Sequence, residues 1–331
     1  MGNCKQLTIP EAAALVKEWD RVLILSHQKP DGDTLGSGLA LLRELRKLGK
    51  TVRLECSDGF PQRFSFLYEG LDLESQPMFE PEHVIAVDIA DPQLLGEATQ
   101  KWEGQVELCI DHHPSNTCYA RNLVLNSQAA GTVELIYVLL LEMGLEVEGK
   151  TAQALYTGLT TDTGCFRYSN VTARTHFIAG KLIEAGVDHF PIDKLMFETK
   201  TPARMELERI TLETLEYAFE GRLAFLVVSR QAVESTGVPD AETDGLAAIP
   251  RQIAGVEVGA TLKEREPGVY RVSMRTNQYI NASQVCAQLG GGGHPRAAGC
   301  TLHGSLAEVK ARLIQVLAPE MKRCQEQGLH A

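Results

Sequence analysis

Three short, solid apolar runs in the first third of the chain each stop at metal-binding residue types. Val22 to Leu25 leads into Ser26 and His27, with Asp31 and Asp33 close behind. Val84 to Val87 leads into Asp88, and the run through Leu108 to Ile110 leads into Asp111, His112 and His113. An unbroken apolar run of this length suits a strand covered on both faces. In parallel α/β sheets, ligands gather beyond the carboxyl ends of the strands. The three clusters are therefore expected at one edge of one sheet. A lone Asp after a strand often only caps the next helix. Three such ends rich in Asp and His point to a metal site instead.

The surrounding pattern agrees with an α/β fold. Thr8, Pro10 and Glu11 open a first helix. Leu35, Leu39, Leu42 and Leu45 recur at helical spacing, and Gly49 stands where a helix stop belongs. Residues 51–56 read as another strand, and helices are expected over 131–143, 150–160 and 173–185. Strands alternating with helices imply a mostly parallel sheet. The chain has 331 residues, enough for two domains. Its character changes after about residue 190. We expect a catalytic domain over 1–190, a helical connector over 191–216, and a smaller mixed α/β domain over 217–331. Two hairpins are expected in the last, turning at Glu220-Gly221 and Pro267-Gly268, followed by a helix over 283–289. Ser305 and Glu308 form a capping box for a final helix.

Charge limits the partners. Lys and Arg number 32 against 43 Asp and Glu, a net charge of −11. Such a chain is a poor holder of long nucleic acid, which needs a basic surface. A small phosphorylated substrate is compatible, because bound cations and a few arginines reverse the sign locally. The longest apolar stretch, Leu135 to Leu141, is too short to cross a bilayer, so no membrane partner is expected. No signal-peptide pattern is seen at the N-terminus, and the expectation is a cytoplasmic protein. The eight cysteines lack any Cys-x-x-Cys pair and read as buried reduced thiols.

Many carboxylates, a few imidazoles and no thiolate suit Mn²⁺, with Mg²⁺ as the alternative, and disfavour structural zinc. The number of carboxylates suggests two ions, which together activate water and neutralise the oxygens of a phosphoryl displacement. The four glycines at 290–293 leave room for a phosphate against the backbone, and their consecutive N–H groups could form an anion nest.

SHQKPDGDTLGS, AVDIAD, the DHH at 111–113 and GLTTDTGCFRYSN resemble the four motifs of the DHH phosphoesterases. GGGGHPRAAG, preceded by VSMRTNQYINASQVCAQLG, resembles the signature of their associated C-terminal substrate domain. The likeness spans nearly the whole chain and is greatest to the nanoRNase/oligoribonuclease subgroup. It implies that His27 and Asp31 bind one metal, Asp33 the second, and that Asp88 bridges both. His112 and Asp162 would complete the second site; spacing alone does not assign Asp162. Asp111 would orient a neighbour, and His113 would face the scissile phosphate. Arg275 and His294 resemble the family's phosphate-contacting pair, with Gly290, Gly291, Gly292 and Gly293 beside them. The implied activity is hydrolysis of short oligonucleotides to nucleoside monophosphates, together with removal of the 3′-phosphate from 3′-phosphoadenosine 5′-phosphate. Self-association as a homodimer is compatible with this reading. The alternatives are a single-strand exonuclease, a pyrophosphatase on the same catalytic domain, and a silent nucleotide sensor.

Overall fold

Every strand of the N-terminal half runs in the same direction in the computed structural model, which describes residues 4–73, 75, 76 and 78–329. The chain divides into two compact units, the first ending at Thr199 and the second starting at Lys200. The first unit contains β1 (Lys5–Gln6), α1 (Ile9–Glu18), β2 (Val22–Ser26), α2 (Gly32–Lys47), β3 (Val52–Cys56), α3 (Ser65–Tyr68) and β4 (His83–Val87). It continues through β5 (Leu108–Asp111), β6 (Asn122–Leu125), α4 (Thr132–Glu142), α5 (Gly149–Asp162), α6 (Ala173–Glu184) and α7 (His189–Asp193).

The six strands form one parallel sheet in the order β1-β6-β5-β4-β2-β3. Alternation within β2 explains its solid apolar sequence. Val22 and Ile24 pack under α1, α2, α4 and α5, whereas Leu23 and Leu25 join Trp102, Val106 and Leu95 on the other face. Both faces are covered from Val22 to Leu25, and the one polar residue of the strand, Ser26 at its end, is buried with its hydroxyl donating to the Thr34 carbonyl. The expected α/β fold holds. The sequence reading passed over β1 and β6; two and four residues give little pattern to detect.

α2 and α5 cross at very short range because glycines line the crossing. A Cβ on Gly36 would stand 2.5 Å from the Ala154 carbonyl oxygen, and one on Gly158 would stand 2.5 Å from Val133. A Cβ on Gly32 would collide with Thr161 at 2.1 Å. This crossing brings the start of α2 beside the end of α5, and with it Asp33 beside Asp162.

The second unit contains α8 (Pro202–Leu212), β7 (Glu216–Ala218), β8 (Leu223–Val228), α9 (Arg230–Thr236), β9 (Val258–Glu266), β10 (Val269–Thr276), α10 (Ala282–Ala287), β11 (Gly292–His294), β12 (Ala297–His303) and α11 (Leu306–Glu326). Its mixed sheet runs β11-β12-β10-β9-β8-β7, parallel only between β8 and β9. One face carries Val272, Met274, Cys300 and Leu302 into a core with α10 and α11. The Ser305–Glu308 capping box is present at the start of α11.

Two local expectations are corrected. The glycine run is not one open nest. Gly290 and Gly291 donate to the carbonyls of Ala287 and Cys286, closing the end of α10. Gly292 to His294 then pair with β12 as an edge strand. The amides of Gly290 and Gly291 are consumed in ending a helix, where Gly290 takes the left-handed conformation (φ +77°). The cysteines are also less uniformly buried than expected. All eight are free thiols, but only Cys109, Cys286, Cys300 and Cys324 are buried, and Cys118 is exposed.

Candidate metal centre

β5, β4 and β2 lie side by side, so their carboxyl ends deliver His112 and His113, Asp88, and His27 to one place. Asp31 is the N-cap of α2, its Oδ1 accepting from the Asp33 and Thr34 amides. Thr34 ties the strand ends together: its hydroxyl donates to the Val87 carbonyl at 3.0 Å. Asp88 adopts a left-handed backbone (φ +62°) immediately after β4. That conformation is uncommon outside glycine, costs roughly 1–3 kcal/mol, and concentrates at functional sites.

The donors fall into overlapping groups. His27 Nε2 lies 3.6 Å from Asp31 Oδ1 and 3.7 Å from Asp88 Oδ2. His112 Nε2 lies 3.8 Å from Asp33 Oδ2, 3.7 Å from Asp88 Oδ1 and 3.6 Å from Asp162 Oδ2. These separations are too long for hydrogen bonds. They are short enough for one cation, about 2.1 Å from each donor, to join them. His27, Asp31 and Asp88 form one potential ligand set, and Asp33, His112 and Asp162 another. Asp88 presents one oxygen toward each.

The imidazoles are oriented for this task. His27 Nδ1 is 2.8 Å from the Gln28 carbonyl and His112 Nδ1 is 3.2 Å from the Ala129 carbonyl. A carbonyl there accepts a hydrogen bond from Nδ1–H and leaves the Nε2 lone pair for a metal. The carboxylates are held as well. Asp33 accepts from the Thr132 and Val133 amides at the start of α4, at 2.6 and 2.9 Å. The Thr132 hydroxyl donates to Asp88 Oδ1 at 2.9 Å.

Charge in this cluster is unbalanced without cations. Burial, then Asp88 and Asp162, push the Asp33 carboxyl well above its usual range. Burial, Asp88 and Asp31 do the same to Asp162. Burial disfavours charge on His27, yet Asp31 and Asp88 outweigh it and push its imidazole up to about 11. A donor set that can ionise fully only with added positive charge fits bound divalent cations.

Asp88, His112 and His113 form a third potential ligand set, with His113 Nδ1 3.5 Å from Asp88 Oδ1, but His113 has a closer partner. Its Nδ1 is 2.8 Å from Asp111 Oδ1, which also accepts from the His112 and His113 amides. Asp111 is fully buried, and its Oδ2 accepts from the Asn116 amide at 2.7 Å. Burial would lower the His113 pKa, but Asp111 and Asp88 raise it to about 9.

All eight N-terminal residues singled out in the sequence thus lie at this edge. Arg275 and His294 lie in the second unit, abreast on β10 and β11 with Ala297 of β12 between them. Thr132 and Asn116 were missed. The Ala-Ala-Gly-Thr start of α4 was the available signal, since a helix N-terminus offers amides to a carboxylate. Asn281 caps α10 through a bond from the Gln284 amide. Arg204 is buried and bonds to the Glu242 carbonyl. Phe166 stacks on His176 and packs against the core.

The chain matches known proteins along both units. Residues 21–159 match the DHH family N-terminal domain, and residues 223–322 match the DHHA1 domain. The bifunctional oligoribonuclease and PAP phosphatase NrnA of Thermus thermophilus is 31% identical over 308 residues, covering 91% of this chain and 90% of that protein. A probable protein of the same name from Streptococcus mutans is 30% identical, covering 89% and 93%. The crystal structure of an exopolyphosphatase-related protein from Bacteroides fragilis shares the fold, with a TM-score of 0.85, 22% identity and 96% of each chain covered. No helix among the described residues is long and apolar enough to cross a membrane. With both segments matched in order and a relative this similar along nine tenths of its length, the chain belongs to the DHH family.

Proposed function

We propose that this protein is a cation-dependent phosphoesterase that cleaves short oligonucleotides to nucleoside monophosphates and removes the 3′-phosphate of 3′-phosphoadenosine 5′-phosphate. The observation that carries this reading is the position of Asp88, with its two oxygens each 3.7 Å from a different histidine. His27, Asp31 and Asp88 would hold one divalent cation, and Asp33, His112 and Asp162, sharing Asp88, a second. The donor set, hard oxygens with imidazoles and no thiolate, favours Mn²⁺, with Mg²⁺ next. Bound cations would supply charge neutralisation at the phosphoryl oxygens and an activated water.

The chain's own residues do the remainder. Asp111 holds His113 by Nδ1 and, with Asp88, keeps the imidazole in its charged form, so that Nε2 also carries a proton to offer to the leaving oxygen. Asp111 is a positioning residue, and Asn116 fixes its carboxylate. Arg275, His294 and the Gly292–Gly293 backbone would bind a substrate phosphate. The names of the Thermus and Streptococcus relatives support the substrate class. Free thiols at all eight cysteines suit a reducing compartment, and we place the protein in the cytoplasm.

The test is a series of single strands of about 2 to 24 nucleotides, with 3′-phosphoadenosine 5′-phosphate and pyrophosphate alongside, assayed with Mn²⁺. We expect kcat/KM to peak at about two to five nucleotides and to fall at least about tenfold for a 20-mer, or about 1.4 kcal/mol of transition-state binding. Equal or rising values toward long strands would favour an exonuclease. Turnover of pyrophosphate alone would favour a pyrophosphatase, and no turnover at all a sensor.

A further inference from the structure

Among the described residues no cysteine joins the potential cation ligands, yet four cysteines meet in pairs. Cys286 and Cys300 are in thiol contact, and both are buried. Cys4 and Cys118 are also in thiol contact, but Cys118 is exposed and Cys4 only half-buried. The fold explains this second pair. Cys4 enters β1, which runs parallel to β6 with Lys5 opposite Asn122. The Lys5 amide donates to the Arg121 carbonyl and the Leu7 amide to the Leu123 carbonyl, each at 2.9 Å. Cys118 lies in the loop that leads into β6, and its neighbour Tyr119 packs with Cys4 against one apolar cluster. Two thiols separated by a third of the chain are thus brought together at the surface.

Cys118 is also joined to the catalytic edge of the first sheet. Its backbone is left-handed (φ +54°), a conformation uncommon outside glycine. Its amide donates to Asn116 Oδ1 at 2.8 Å. Asn116 Nδ2 donates to Asp111 Oδ2 at 2.7 Å, and Asp111 Oδ1 holds His113 Nδ1 at 2.8 Å. Hydrogen bonds therefore run without a break from the backbone of an exposed thiol to the imidazole.

We propose that Cys4 and Cys118 are a reversible disulfide site, and that closing it disturbs the Asn116–Asp111 support of His113. The oxidant is a low-molecular-weight disulfide of the oxidised-glutathione class. The Cys118 thiolate attacks one of its sulfurs, forming a mixed disulfide and releasing one small thiolate. The Cys4 sulfur then attacks Cys118 Sγ and expels the second. Two protein thiols and one small disulfide become one protein disulfide and two small thiols, which take up the two protons. Cys118 attacks first because it is exposed, whereas burial and the neighbouring Cys118 sulfur raise the Cys4 thiol above its ordinary range. Bonding draws the sulfurs closer than thiol contact. β1 is fixed to β6 by its amides, so the exposed loop moves more than the strand, and the Cys118–Asn116 bond is the first to lengthen. Asp111 and Asn116 act here as positioning residues. The effect on turnover rests on the phosphoesterase reading above, but formation of the bond does not.

The test treats the cation-loaded protein with oxidised glutathione, caps the remaining thiols, and maps disulfides by peptide mass spectrometry. Cys4–Cys118 should be the main bond, with the buried Cys286–Cys300 pair still reduced. Cys4→Ser should stop at the mixed disulfide on Cys118. On a dinucleotide, oxidation should lower kcat at least about threefold with KM within about twofold, and a dithiol reductant should restore it. Cys118→Ser should keep full kcat through the same treatment. Absence of the Cys4–Cys118 bond would overturn the site. A bond formed with unchanged kcat, or the same loss in Cys118→Ser, would overturn its link to His113. Failure of the reduced protein to release nucleotide would instead overturn the phosphoesterase reading and leave the disulfide map valid.

Discussion

The two units hold their candidate functional groups in opposite ways. In the first, Asp33, Asp88 and Asp111 are buried, and each accepts bonds from a helix start, a hydroxyl or neighbouring amides. In the second, His294 sits on an exposed edge strand. Buried carboxylates cannot adjust, so their positions are set before any ligand arrives. Groups on exposed strands can be reached by a flexible, variable substrate. The difference predicts that changes in the first unit strike turnover and changes in the second strike affinity.

The largest effect should follow Asp88→Asn. An amide cannot bind two cations, and we expect kcat to fall by at least about 10³-fold. Removing one charge from a crowded carboxylate cluster should leave the cation-free fold as stable or more stable, read as an unchanged or raised Tm. A folded Asp88→Asn protein with strong Mn²⁺-dependent activity would break the comparison.

Gly36→Ala tests whether the first site depends on helix spacing. The added methyl would meet the Ala154 carbonyl at 2.5 Å and push α2 from α5. We expect a loss of about 1–3 kcal/mol from overpacking, measured by denaturant unfolding. We also expect a fall of about 10²-fold in kcat, since small misplacements at reacting centres are costly. Normal kcat would mean that the crossing does not set the Asp33–Asp162 geometry.

His294→Ala tests the other side. KM should rise about tenfold with kcat within about twofold and cation binding unchanged. Loss of a cation in this variant, seen by calorimetry, would contradict the division of labour.

The smallest effect concerns pH. With its pKa at about 11 in the cation-free protein, the His27 imidazole is protonated at neutral pH and must lose that proton to become a ligand. Cation affinity should therefore weaken severalfold per unit as pH falls from 8 to 6, with protons released on binding. Calorimetry in buffers of different ionisation enthalpy would detect them; pH-independent affinity without release would show that His27 is not a ligand.

How far these features could be read in advance depended on where their cause lay. His27, Asp88 and the Asp111–His113 run follow apolar strands directly, so local pattern placed them. Asp162 joins them only through the glycine-lined crossing of α2 and α5, a long-range packing event invisible to spacing, and the family resemblance was needed to name it. The strand pairing of Gly292 to His294 was hidden for another reason. Glycines carry no side-chain alternation, and their ladder is made by the backbone alone. Thr132 and Asn116 support ligands without being ligand types, so only their bonds reveal them.

Cation stoichiometry bears most directly on the central claim of a two-cation centre shared at Asp88. Mn²⁺ binding to the purified protein and to Asp88→Asn can be followed by calorimetry, with bound metal counted after gel filtration. We expect two ions per chain in the unaltered protein and at most one in Asp88→Asn. One ion in the unaltered protein, or two retained in folded Asp88→Asn, would contradict it.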